Sequence, residues 1–285
     1  MKIGILTPGL GEEKRYDALW RSGFERLSAR FRGRGHQVAD SPWNDPDVTG
    51  CDAVLPLLAW GYHHDLPRWL QVVDGLEADD RPLFNPASVL RWNADKRYLG
   101  RLAAHGALTV PTLYVDHADG AAVAEAAARF ETDTVVVKPQ VSGGASGTVK
   151  VQVGGSLEGG PTGPAMIQPF LPSVGTEGEL SMLFFGGAFS HALSKTAVNG
   201  DFRVQPQYGG VVRAAEPDGE AFAAAALALG AVEEALLYAR VDLIRDLQGR
   251  WALMELELIE PHLFLDEAPD GGLRFVEALE AAVNR

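Results

Sequence analysis

Two carboxylates one residue apart, Glu255 and Glu257 in "WALMELELIEP", and a third, Asp242 in the preceding "RVDLIRD", are the first residues of this chain whose spacing could do chemistry. Read as a strand, the alternation sends Glu255 and Glu257 to one face, roughly 7 Å apart, and Met254, Leu256 and Leu258 to the other. Like charges that close repel unless a cation or water separates them. If the two segments pair as a hairpin, Asp242 completes a set of hard oxygen ligands of the kind that holds Mg²⁺ beside nucleotide phosphates. A lone Glu-x-Glu also fits the solvated face of an edge strand. A second feature bears on the choice: "KPQVSGGASGT" offers Ser142, Gly143, Gly144, Ser146 and Gly147, whose small side chains let backbone N–H groups approach a phosphate, after a strand carrying Lys138. The spelling is neither a Walker loop nor a dinucleotide-binding turn, and the glycines join two strands, so an ordinary long hairpin is the alternative. Lys195, Arg203 and Arg240 are further cations that could converge on a polyphosphate in an acidic chain.

The elements that must position these groups follow from pattern. "KIGILTP" reads as a strand, and "ALWRSGFERLSARFRGRG" spaces Leu19, Trp20, Phe24, Leu27 and Phe31 at helical intervals. "HQVAD" and "CDAVLPLLAW" read as strands and "DLPRWLQVVDGL" as a helix, so residues 1–92 form a small open α/β lobe. "ADKRYLGRLAAHG" is helical, as is "DGAAVAEAAARF", with Asp119 as its N-cap. The pattern then turns to β in "TVVVKP", "VKVQV", "AMIQPFLP" and "ELSMLFFGGAFSHALSK". An Ala-rich helix from about Asp218 to Tyr238 precedes the hairpin carrying the acids.

Composition excludes several functions. At 285 residues, with 25 Lys and Arg against 38 Asp and Glu, the net charge of −13 opposes nucleic acid and anionic membrane. The one cysteine, Cys51, permits no internal disulfide. Without a leader pattern or a long apolar run, a cytoplasmic protein is expected. His63 and His64 lack a zincin spacing, no serine sits in a G-x-S-x-G elbow, and the tryptophans of the first lobe read as packing. Glu260, out of phase with Glu257 and followed by Pro261, reads as a strand-end residue or one that backs the metal ligands.

From about Asn93 to Pro261 the ordered set resembles the ATP-grasp superfamily, in the lineage of prokaryotic glutathione synthetase and the ribosomal-protein glutamate ligase. "VLRWNADKRYL", "GDFRVQPQYGG" and "MELELIEP" look closest to the branch that includes the O-ureido-D-serine cyclo-ligase of cycloserine biosynthesis. The resemblance implies an ATP-grasp fold of α/β and α+β lobes: an N-terminal pre-ATP-grasp lobe (1–92), a central lobe with the glycine loop (93–170) and a C-terminal lobe with the metal site (171–285). It implies ATP and two Mg²⁺ as cofactors, Lys96 and Lys138 as phosphate lysines, and Gln168, Phe170 and Leu171 in the hinge that reads adenine, with the Leu171 N–H as donor. It places Glu179 on the ribose. Lys195 and Arg203, eight apart before Gly209 and Gly210, and Arg240 of an Arg-x-Asp would serve the reacting phosphate and carboxylate, and Asp242, Glu255 and Glu257 the metal. Glu257 stands where the superfamily has asparagine. The implied reaction joins a carboxylate and an amine of amino-acid-like substrates through an acyl phosphate, between two molecules or within one; an ATP-grasp phosphotransferase and a non-catalytic nucleotide-binding protein are the alternatives. By analogy the resemblance admits a homodimer.

Overall fold

The computed structural model describes residues 1–197, 201–204 and 208–284. In chain order the elements are β1 (Lys2–Thr7), α1 (Glu13–Gly33), β2 (Gln37–Pro42), β3 (Ala53–Leu55), α2 (Leu66–Ala78), α3 (Ala87–Asn93), α4 (Tyr98–Ala104), β4 (Leu113–Val115), α5 (Gly120–Arg129), β5 (Thr134–Pro139), β6 (Val149–Gln152) and β7 (Ala165–Pro169). They continue with β8 (Glu179–Phe185), β9 (Ala188–Thr196), β10 (Val211–Ala214), α6 (Gly219–Gly230), β11 (Tyr238–Arg245), β12 (Trp251–Glu257) and α7 (Leu273–Val283).

Three sheets result. The first is parallel, in the order β2-β1-β3. The second, β4-β7-β5-β6, and the third, β10-β9-β8-β11-β12, are antiparallel. Strand β8 is buried along its whole length because both faces of the third sheet are covered. Alternation sends Leu183 and Phe185 into a core shared with Ile3, Ile5 and Phe31 of the first lobe and Phe275 of α7, and Met182 and Phe184 into a second core with Ala221 and Ala225 of α6. The first core thus joins residues from both ends of the chain.

Strand β12 is the edge of the third sheet, where unpaired backbone groups need cover. Side chains supply it. Tyr98 Oη accepts from the Leu256 N–H at 2.8 Å, and Asn93 accepts from the Leu258 N–H at 3.0 Å and donates to the Leu256 carbonyl at 2.8 Å. Fully buried Asn85 donates to the carbonyls of Tyr238 and Leu258, both at 2.9 Å, and accepts from the Leu237 N–H at 2.8 Å.

The Asp119 cap forms as its sequence requires, with its carboxylate accepting from the Ala122 N–H at 2.8 Å. Four local expectations are corrected. Leu19 is 68% exposed and points away from the core that holds Trp20, Phe24, Leu27 and Phe31. The apolar run after Cys51 is a strand only over Ala53–Leu55, since Pro56 ends the ladder. Helix α6 stops at Gly230 rather than Tyr238, which begins β11. Lys96 lies in the turn between α3 and α4, not within a helix.

Candidate active site

The polar residues of the third sheet form rows across its strands. Pairing sets Glu179 on β8 opposite Lys195 on β9, Ser181 on β8 opposite Asp242 on β11 and Asp242 opposite Glu255 on β12, and Arg240 opposite Glu257. The same face carries the apolar first core farther along, so one alternation supplies both packing and chemistry. The Lys195 ammonium, 6% exposed, lies 2.9 Å from Glu179 and 3.1 Å from Asp242. Asp242 also accepts from Ser181 Oγ at 2.5 Å and from the Arg240 guanidinium at 2.9 Å, and Arg240 reaches across to Glu257. Close approach of β8 and β9 requires Gly178: at φ +81° a β-carbon there would stand 2.3 Å from the Lys195 carbonyl.

A bulge between Asp242 and Leu243 breaks the expected alternation on β12. Met254 is the extra residue, and instead of joining Leu256 on the opposite face it turns its sulfur toward the Lys138 ammonium, 3.2 Å away. The acids are unaffected: Asp242, Glu255 and Glu257 each offer an oxygen within 4.8 Å of the others, a spacing and donor set that fit a hard divalent cation.

Burial would push Asp242 up, but Arg240 and Lys195 outweigh it and hold the carboxyl well below its usual range. Glu255 is likewise lowered, with burial opposed mainly by Lys96. Glu257 goes the other way: burial, with Glu255 and Asp242 adding repulsion that Arg240 only partly offsets, raises it to about 8. Burial also lifts Glu260 to about 7, against Arg240 and Lys96. These two acids stay protonated in the fold at pH values where an unfolded carboxyl has ionised. Their contribution to stability is complete below the unfolded range near 4.5 and is lost as pH passes the folded values. His63 and His262, both held by burial at about 4, complete most of their opposing gain as pH passes the unfolded imidazole value of 6.5. We therefore expect the melting temperature in EDTA to fall by roughly 3 °C or more between pH 6.5 and 9. A flat or rising melting profile over that window would contradict the assignment.

Lys96 links the acids to the glycine loop, its ammonium lying 3.1 Å from Glu255 and donating to the Ser142 carbonyl at 2.8 Å. Burial lowers Lys138, partly offset by Glu255 and Glu179. At the far end, β5 and β7 pair Val136 with Gln168, whose amide donates to Thr112 Oγ1 at 3.0 Å. The Phe170 N–H donates to the Thr134 carbonyl at 3.0 Å, whereas the Leu171 N–H meets no acceptor among the described residues. Lys150 lies 4.5 Å above the Phe170 ring, with Phe202 beside it.

A cleft of about 1030 Å³ unites these groups. Its wall includes Lys96, Lys138, Ser142, Gly143, Gly144, Ser146, Gln168, Phe170, Leu171, Glu179, Lys195, Arg203, Arg240, Asp242, Glu255 and Glu257. Gly147 is not on the wall; at φ +66° it turns the chain against Pro139. Arg203 reaches the wall but is paired with Asp201 at 2.8 Å and lies 3.6 Å over the Tyr208 ring, so it does not join the acids. Residues 198–200 and 205–207 of its segment lie outside the described residues. Sequence reasoning missed Ser181, although its place two residues after Glu179 on a strand was a usable signal. It also missed Thr112 and Lys150, which only the fold brings near.

Comparison with known proteins bears on the family and the fold of the chain that carries this cleft. A curated relative, the cycloserine biosynthesis protein DcsG of Streptomyces lavendulae, is 36% identical over 274 residues, covering 88% of this chain and 90% of that protein. The chain belongs to the D-cycloserine synthetase family of ATP-grasp ligases. The model of the N-terminal domain of D-cycloserine synthetase DcsG matches residues 10–85. The crystal structure of D-cycloserine synthetase superposes with a TM-score of 0.82 at 29% identity, covering 99% of this chain and all of that one. The D-alanine–D-alanine ligase of Bacillus anthracis shares the fold, with a TM-score of 0.71 at 17% identity over all of this chain and 96% of its own. As a family member the chain is an ATP-dependent ligase joining carboxylate and amine, and such ligases act on small molecules with ATP and Mg²⁺. No helix among the described residues is long and apolar enough to cross a membrane.

Proposed function

We propose that the chain closes a ring within one amino-acid-like molecule, with O-ureido-D-serine as the first candidate substrate. The observation that carries this reading is the Lys96 ammonium, which touches both the glycine loop and Glu255 and so ties a phosphate-binding loop to the acid set. The likeness to D-cycloserine synthetase over nearly the whole chain supports the ring-closing form.

In this reading Asp242, Glu255 and Glu257 would hold two Mg²⁺, whose charge would offset that of the transferring phosphoryl group. Lys96 and Lys138 meet the phosphates, Ser142, Gly143, Gly144 and Ser146 cover them, Gln168 to Leu171 read adenine with the unpaired Leu171 N–H, and Glu179 holds the ribose. The substrate carboxylate attacks the γ-phosphate, giving ADP and an acyl phosphate, and a nitrogen then displaces phosphate. Lys195 and Arg240, locked by their acids, supply fixed positive charge where negative charge develops. Arg203 reaches the substrate carboxylate if it exchanges Asp201 for it. The lobes are assigned as 1–92, 93–170 and 171–285.

The test is incubation with Mg-ATP and a panel of amino acids, dipeptides and ureido or hydroxamate analogues, following phosphate release and product mass. The expected result is phosphate released together with a ring product from a single substrate. A product joining two substrates would make the reaction intermolecular. A stable phosphate ester without free phosphate would make the chain a phosphotransferase, and no turnover on any member would overturn the ligase.

A further inference from the structure

Every acid of the rows has a partner: Asp242 has three, Glu179 has Lys195, Glu255 has Lys96 and Glu257 has Arg240. One acid of the same cleft does not. Glu260, three residues beyond Glu257, lines the cleft and makes no hydrogen bond or ion pair among the described residues. Half-buried in the cleft wall and without a partner, the carboxylate has its oxygens open to a ligand that supplies a donor.

The glycine loop leaves room for that donor. A β-carbon on Gly143 would stand 3.8 Å from Glu260 Oε1 and 3.2 Å from His63 Nδ1, so the absent side chain keeps a small gap before the carboxylate. His63 Nδ1 is itself buried without a partner beside Gly143. Three parts of the chain thus converge: the turn after β3, the glycine loop and the segment after β12. The charged and titratable groups that act on Glu260 are Lys96, Arg240, Glu255 and Glu257, and it acts on Tyr16, Tyr62 and Tyr238.

We propose that Glu260 is the catalytic base of the second half-reaction, its Oε1 taking the proton from the nitrogen that attacks the acyl phosphate; this rests on the ligase reading above. The nitrogen lone pair forms the new C–N bond, the acyl carbon–oxygen bond to phosphate breaks with its electron pair leaving on phosphate, and the N–H proton passes to Glu260 and then to solvent. The other acids are committed to cations, and His63, whose Nδ1 is buried, is lowered by burial to about 4, too weak a base near neutral pH. A carboxyl lifted by burial to about 7 has the basicity this transfer needs near neutral pH.

The experiment uses the full chain with Mg-ATP and O-ureido-D-serine, with and without hydroxylamine, a nucleophile unprotonated at pH 7.5 that captures acyl phosphate as a hydroxamate without a base. In Glu260→Gln the ring product is expected to fall at least about 100-fold while the hydroxamate stays within about threefold of wild type. Glu260→Asp is expected to recover about tenfold of the product, and both variants to melt within a few degrees of wild type. Ring closure within threefold of wild type in Glu260→Gln overturns the assignment. So does a hydroxamate yield that falls with the product, which would place Glu260 in phosphorylation or folding. If wild type yields neither product nor hydroxamate from any panel member, the ligase reading fails and this one with it.

Discussion

Glu255→Gln is expected to lower Mg-ATP turnover by roughly 10³-fold or more while the fold survives. Gln preserves the side chain's shape and one oxygen but removes its charge. That charge stands directly opposite Asp242 in the hairpin and is the partner of Lys96, so the substitution weakens metal binding and frees the lysine that ties down the glycine loop. Glu255 is 31% exposed at its side chain, in contact with the cleft rather than sealed in a core, so stability should change by no more than about 1 kcal/mol. Phosphate release measured beside a thermal melt separates the two effects. Undiminished turnover in a folded variant would sink the metal assignment.

The largest stability loss is expected at Asn85, a residue that carries no charge. Asn85→Ala leaves the Leu237 N–H and the carbonyls of Tyr238 and Leu258 buried without their partner. Each orphaned group costs about 1–3 kcal/mol, so a total near 4 kcal/mol is expected, a large share of what a domain has. Turnover should fall as well, because these are the strand ends next to Arg240 and Glu257. Urea denaturation checks the first effect, and a midpoint unchanged from wild type would show that water replaces the amide at no cost.

The two sites differ in how far the sequence could announce them. The acids were legible because a strand has a strict period of two and a short hairpin fixes which residues face each other, so Asp242, Glu255 and Glu257 could be placed together from spacing and from the resemblance. Continuous runs such as "TVVVKP" and "ELSMLFF" were legible as strands for the same reason, both faces being covered. Met254 was not, because a bulge adds one residue to one strand and no local residue type marks it. Arg203 shares an eight-residue spacing with Lys195, yet the interval runs from a strand into a loop, where spacing no longer sets direction and the near neighbour Asp201 captures the guanidinium. Leu19 fits a helical period and is nonetheless exposed, since a period names a stripe without saying how wide the covered stripe is. Asn85, Asn93 and Tyr98 were beyond reach, their partners lying more than 150 residues away in sequence.

The core that mixes Ile3, Ile5 and Phe31 with Phe185 and Phe275 also bears on how such an enzyme can be taken apart. A chimaera that exchanges residues 1–92 between two family members would cut through the middle of that core, leaving each half with the other's surface to fill. The sheet of β4 to β7 packs on α5 in a core of its own, while Tyr114 and Met166 reach into the second core, so a swap there meets foreign packing on that face alone. Exchanging that sheet together with α5 is therefore the simpler graft, and exchanging residues 1–92 requires carrying α7 along with them.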